Sequence, residues 1–250
     1  MEIPKAVFAT GTHFYKYSSL EYPKRLKKIL LEHELYVPTR DQLNDPADAR
    51  PVLPEMSNDE VLYFLFHRNF NPTLPTMEQE RIIKMLQRNI EDQGSEAYRR
   101  TMTEMLHKLQ EGYRIYSLSK RYNNMGMWAK YAKDHSGYCL EFARAGRFFE
   151  TAVEVFYGDI VPLDTSNPRS YFFFCKRPEW RGEEEVRVIL MPGSDSTVKI
   201  EPRWLTRLIL GEKVSAEHEE LVRGWAKQRQ PELVVVKAHF DSVSQNLLLR

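Results

Sequence analysis

Hydrophobic residues recur along this chain with two periods, and the switches between them divide it into three zones. In residues 1–54, "THFYKYSS" alternates as a strand does, each second side chain turning to the same face. From Tyr22 to His33 the period becomes helical: Leu26, Ile29 and Leu30 share an inner face, while Lys24, Arg25, Lys27 and Lys28 fall mostly outside it. A short strand around "ELYVP" leads into "QLNDPADARP", where Asn44, Asp45 and Pro46 supply turn chemistry.

Residues 55–112 read as helical throughout. Ser57 to Glu60 and Thr76 to Gln79 are capping boxes, and "NPTLP" and "DQGSE" separate three helices. Apolar residues return at helical spacing at Ile82, Ile83, Leu86 and Ile90, then at Met102, Met105, Leu106 and Leu109. The pattern predicts a helical insertion packed on a sheet.

Residues 113–250 mix the two periods. "YRIYSLS" and "GYCLEFA" read as strands, the second with Tyr138, Leu140 and Phe142 on one face; between them "MGMWAKYAKDH" reads as a helix ended by Gly137. "VEVFYGDIV" comes next, and Asn167 and Pro168 suit the start of a helix through "RSYFFFCK". A strand headed by carboxylates, "EEEVRVIL", precedes the strand "WLTRLILG", a helix from Ser215 to about Gln228 and a last strand, "LVVVKAHF". Strands and helices do not alternate regularly, so the pattern predicts a single α+β domain over residues 1–250, built on a mixed sheet with inserted helices.

Composition narrows the setting. Thirty-six lysines and arginines nearly cancel thirty-five aspartates and glutamates, which gives no strong nucleic-acid signal overall. Cys139 and Cys175 stand far apart in no metal-like spacing, and are expected as buried thiols in a reducing compartment. No apolar run approaches the ~20 residues that cross a bilayer, and none near the start suits a signal peptide, so a cytoplasmic protein without a membrane partner is expected.

The chemistry of interest begins at "CKRPEWRGEEEVRVIL". Alternation sets Val186, Val188 and Leu190 on one strand face and Glu183, Glu185 and Arg187 on the other, the two acids roughly 6.5–7 Å apart at Cα. Paired carboxylates can divide the work of acid–base and charge stabilisation. They can equally be a strand start neutralised by Arg187 and a cross-strand cation. Ser117 and Ser119 share a face and can brace a carboxylate or a ribose, or simply form a turn. Trp128 and Tyr131, at i and i+3, suit a planar-ligand pocket or core packing. Lys16 stands between Tyr15 and Tyr17, fit for a phosphate or for a snorkelling edge position. The seven histidines form no pair at metal-ligand spacing, and the chain has no Walker loop, dinucleotide glycine fingerprint or nucleophile elbow.

Taken in order, "YKYSS", "RLKKIL", "ELYVPTRDQLNDPAD", "YSLS", "MWAKYAKDHSGYCLEF", "VFYGDI", "KRPEWRGEEEVR" and "LILG" resemble a widespread, mostly prokaryotic family catalogued as domain of unknown function 2971. The matching positions include Lys16, Tyr17, Asn44, Asp45, Pro46, Asp48, Ser117, Ser119, Trp128, Tyr131, His135, Gly137, Phe142, Lys176, Trp180, Glu183, Glu185 and Arg187. More distantly, a first strand with a basic or aromatic residue, then Ser-x-Ser, then Glu-x-Glu is similar to the ADP-ribosyltransferases, with Lys16 standing where arginine is usual. That likeness implies a split mixed sheet with a helical insertion over 55–112, and NAD as substrate. It implies Glu185 facing a cationic ribose, Glu183 orienting or deprotonating an acceptor, and Ser117 and Ser119 positioning Glu185. Lys16 would meet the pyrophosphate, and Tyr17, Trp128 or Tyr131 would flank the nicotinamide. The acceptor is left open. Two alternatives stand beside it: a non-catalytic binding or regulatory domain held by a charge-paired latch, and a hydrolase or nuclease binding Mg²⁺ through Asp45, Asp48, Glu183 and Glu185.

Overall fold

The structure, a computed structural model, describes residues 7–45, 48–49, 57, 76–94, 96–97, 100, 103–104, 108, 111–158, 171–243 and 246–250. Pro46, Asn167 and Pro168 lie outside the described residues, as do most of the Ser57–Glu60 box and the helix expected around Met102–Leu109.

The first strand forms as β1, His13–Ser18. Helix α1, Pro23–Lys27, starts on a proline, whose fixed φ suits a first helical turn. It passes into a π-helical turn, Lys28–Glu32, where the spacing predicts an uninterrupted α-helix, and left-handed His33 (φ 56°) ends it. Leu26 and Leu30 are buried, as their spacing requires. Strand β2, Glu34–Tyr36, and helix α2, Thr76–Gln93, follow where they are expected.

Next come β3, Arg114–Ser119, helix α3, Met125–Tyr131, and β4, Tyr138–Ala143. Asn124 caps α3 by accepting a hydrogen bond from the Met127 backbone N–H at 3.2 Å. The helix stops well before Gly137: Lys133, Asp134 and His135 all take positive φ. The early stop lets Gly137 pack where a side chain has no room, since an added Cβ would overlap the Ser18 carbonyl oxygen and sit 2.9 Å from Ala132 Cα. Gly137→Ala is therefore expected to cost about 1–3 kcal/mol in urea unfolding, whereas Gly182→Ala, which meets nothing within 4 Å, should change little.

The remaining elements are α4, Gly146–Glu150; β5, Val153–Glu154; β6, Phe156–Tyr157; β7, Cys175–Lys176; β8, Glu185–Leu190; β9, Thr197–Lys199; β10, Leu205–Leu210; α5, Ala216–Gln228; β11, Val234–Asp241; and β12, Asn246–Leu249. The helix expected through "RSYFFFCK" is, over its described part, a 3-10 turn at Tyr171–Phe174 running into β7.

Eight strands form one sheet in the order β12-β11-β10-β4-β1-β3-β8-β5. Neighbours are antiparallel except β10 and β11, which α5 joins in parallel, so the sheet is mixed and the class α+β as expected. One face packs Phe14, Leu118, Leu140 and Val186 against Leu26 and Leu30, with Val222 and Ala226 of α5 beside them. The opposite face packs Tyr17, Cys139 and Ile209 against Met127 and Trp128 of α3. Helices on both faces explain why Tyr138–Phe142 of β4 is buried at every position instead of at alternate ones. Both cysteines are buried, and they form no disulfide with one another. No helix among the described residues is long and apolar enough to cross a membrane.

One seam in the sheet is weak. β1 and β4 pair at six positions and β3 and β8 at six, but β1 and β3 pair only at Tyr15 and Ser119. Beyond that point the two central strands part.

Candidate functional site

The acid-headed strand is shorter than alternation predicts. Pro178 opens a 3-10 turn that ends at Glu183, and Glu184 is left-handed (φ 46°), so β8 begins only at Glu185. From there alternation holds: Val186 and Val188 enter the core, while Glu185 and Arg187 face the other way. Glu183 thus reaches the site from a turn, not from a strand face. Register then aligns Ser119 with Glu185 and Ser117 with Arg187.

The two glutamates meet across Lys176 of β7. Its Nζ donates to Glu183 Oε2 at 2.6 Å and to Glu185 Oε2 at 2.9 Å, and lies 3.6 Å from Asp48 Oδ2. Arg187, 0 % exposed, donates from Nε to Glu185 Oε1 at 2.7 Å and from Nη2 to both Asp48 oxygens at 2.8 and 2.7 Å. Its Nη1 donates to the Phe173 carbonyl at 2.8 Å. Tyr131 O–H donates to Glu183 Oε1 at 2.7 Å, where Lys130 Nζ also arrives at 3.2 Å. The Asn44 amide donates to the Tyr131 hydroxyl, and the Glu185 backbone N–H to the Tyr157 hydroxyl.

Burial alone would raise the Glu185 pKa, but the Arg187 and Lys176 charges, with hydrogen bonds from Arg187 and Ser117, hold it well below its ordinary 4.5. Burial opposes the charge on Arg187 and Lys176 too, yet the carboxylates around each push its pKa up. Lys16 goes the other way: burial, aided by the Lys176 charge and opposed by Glu185 and Glu183, brings it from 10.5 to about 8. Between those two values the unfolded chain binds the extra proton, so the Lys16 contribution to stability rises with pH. A Lys16→Met variant is expected to lose that rise between pH 8 and 10.5, read as the difference between the two Tm–pH curves.

Where β1 and β3 part, a cleft of about 360 Å³ opens, bordered by Lys16, Tyr17, Ser117, Tyr131, Glu183 and Glu185, and also by Asn44 and Asp48. Lys16 Nζ donates to the Ser117 carbonyl at 2.8 Å across the gap. Six of the eight residues expected at the site therefore share one cleft. Ser119 lies behind it, donating to the Glu183 carbonyl at 2.9 Å and so fixing the turn that carries this acid. Trp128 does not reach the cleft; it is fully buried, edge-on to Tyr17 and stacked on His135. Asp45 lies off the cleft, 3.6 Å from Arg177. Among the described residues no three His, Cys, Asp or Glu side chains are arranged to hold a metal ion, because Lys176 and Arg187 fill the space between Asp48, Glu183 and Glu185.

The alternation of "EEEVRV" found the acids, but nothing in the sequence assigned a site role to three supporting residues, Lys130, Asn44 and Tyr157. Lys130 lies over the Trp180 ring at 3.0 Å, while Asn44 and Tyr157 act through contacts 87 and 28 residues away in sequence. Comparison of the chain with protein-family models, curated proteins and solved structures finds no match.

Proposed function

We propose that the chain cleaves the bond between nicotinamide and ribose in NAD, acting as an ADP-ribosyltransferase-like enzyme on a split sheet. One observation carries the reading: residues 16, 117 and 185, on three separate strands, border a single cleft at the seam where β1 leaves β3. Breaking that glycosidic bond builds oxocarbenium-like positive charge on the ribose. A fixed carboxylate beside it stabilises the transition state more than the ground state. Glu185 is that carboxylate, held ionised by its neighbours and braced by Ser117. Tyr17 and Tyr131 flank the ring that leaves, and Lys16 meets a phosphate at the far side. Trp128 supports this site by packing behind Tyr17. Incubating the purified chain with NAD and measuring free nicotinamide, with Glu185→Gln as control, tests the reading.

A second reading is favoured by the saturation of Glu185: Arg187 and Lys176 occupy both of its oxygens, as they would in the ionic latch of a non-catalytic binding domain. A latch alone needs no cleft beside it, and a cleft is there. Absence of nicotinamide release from the unmodified chain would favour the latch.

A further inference from the structure

A second and larger chamber, about 630 Å³, adjoins the acid cleft and shares Lys16, Ser18, Arg25, Pro38 and Gln42 with it. Its charge is less balanced: cations and carboxylates are equal in the acid cleft, but not here. Lys16, Lys24, Arg25 and Lys28 line it against one carboxylate, Glu34. Glu34 lies 4.0 Å from Lys28 and 3.5 Å from Lys199, and no carboxylate among the described residues pairs with Lys24 or Arg25. Three tyrosines also line it: Tyr36, half exposed, and Tyr116 and Tyr138, nearly buried. Tyr116 is 3 % exposed, its hydroxyl makes no hydrogen bond to a described residue, and it faces this chamber, with Lys16 Nζ 5.0 Å above its ring. Two cations without a carboxylate partner, beside a tyrosine hydroxyl open to the chamber and a planar ring, are the groups that hold a phosphate and a base.

The acid cleft adds a chemical constraint. A hydroxyl or amine acceptor must give a proton to a base, but all four oxygens of Glu183 and Glu185 already accept from Tyr131, Lys130, Lys176 or Arg187. A phosphate monoester, whose second ionisation falls near pH 6, arrives deprotonated.

We infer that the acceptor in the proposed transfer is a nucleoside phosphate, seated in this second chamber with its phosphate at the Lys24–Arg25 rim and its base against the exposed ring of Tyr36. The transfer step rests on the NAD reading; the binding does not. In that step a phosphate oxygen forms the new bond to ribose C1′ as the C1′–N bond breaks. The bonding pair leaves with nicotinamide, which becomes neutral, and no proton changes hands.

Calorimetry with the full chain tests this, using 5′-AMP and a 5′-phosphorylated single-stranded tetranucleotide as probes and adenosine as control. At least one phosphorylated probe is expected to bind, and adenosine not. The double substitution Lys24→Ala with Arg25→Ala, at exposed positions that leave the core untouched, should weaken binding by about tenfold or more, and Tyr116→Phe by about threefold. Tighter binding of AMP would identify a free nucleotide as the source of the phosphate; tighter binding of the tetranucleotide would identify a strand end. Saturating carba-NAD, which lacks the ring oxygen that stabilises the ribosyl cation, should leave the affinity unchanged. Failure of both phosphorylated probes to bind overturns the inference, as does indifference to the double substitution. Displacement by carba-NAD overturns it too, because the chamber would then hold the other half of the donor. Binding without nicotinamide release from NAD removes the acceptor role and the transfer reading together, while the binding site remains.

Discussion

Arg187→Met is expected to cost about 3–5 kcal/mol of folding stability, the largest effect of any single substitution at the site. The native side chain is wholly buried, and its five hydrogen bonds go to Glu185, Asp48 and the Phe173 carbonyl. Methionine fills much of the same volume, so the loss arises less from packing than from two carboxylates left out of water with one cation between them. Lys176 would remain, 2.9 Å from Glu185 but 3.6 Å from Asp48, too far to replace a bidentate guanidinium. The pH dependence separates this cause from a simple cavity. Glu185 is held below its ordinary 4.5, so its stabilising contribution is present above that value and fades as pH falls through it towards the folded pKa. The variant lacks most of that contribution at every pH. Its deficit, measured by urea unfolding, should therefore shrink on acidification from pH 7 to pH 3; a constant deficit would assign the loss to packing alone. Adding Asp48→Asn should recover part of the loss at neutral pH, since it removes one stranded charge.

What the sequence made legible was periodic, and what it hid was short or long-range. β1, β3, β4, β10 and β11 were readable because apolar residues mark them over six residues or more. Strand β9 has three residues and depends on β2, more than 150 positions earlier, for its partner, so no local pattern could mark it. Helix α4 is a five-residue turn opened by Gly146 (φ 69°), too short to carry a period of its own. The end of α3 was misplaced because three successive non-glycine residues took the left-handed region, which local preference disfavours and the packing of Gly137 requires. At the site, the same two-residue spacing that found Glu183 and Glu185 gave the wrong route for Glu183. A left-handed Glu184 breaks the alternation, and Lys176, rather than strand geometry, brings the acids together. Trp128 and Tyr131 illustrate the limit of helical spacing. Both were expected on one face, yet one end of that face meets the core and the other the cleft.

Glu185→Gln is expected to lower NAD turnover by about 100-fold to 1,000-fold, the loss typical when one fixed electrostatic contact to a transition state is removed. Glutamine keeps the shape and two polar atoms, so Ser117, Lys176 and Arg187 retain a neighbour while the negative charge disappears. Some stability goes with it, about 1–3 kcal/mol, because Arg187 keeps Asp48 and the Phe173 carbonyl but loses its second carboxylate. Turnover must therefore be compared below the lowered Tm of the variant. The effect should fall on kcat with KM nearly unchanged, because the charge it removes opposes one that develops only in the transition state. The pH profile supplies an independent check. With Glu185 ionised far below neutrality, kcat in the unmodified chain should stay level as pH falls from 8 to about 5. Above about 8, where Lys16 loses its proton, KM should climb while kcat holds, because a neutral amine no longer attracts a phosphate. A Glu185→Gln protein that stays folded and releases nicotinamide at more than about a tenth of the unmodified rate would be incompatible with this carboxylate facing the ribosyl cation.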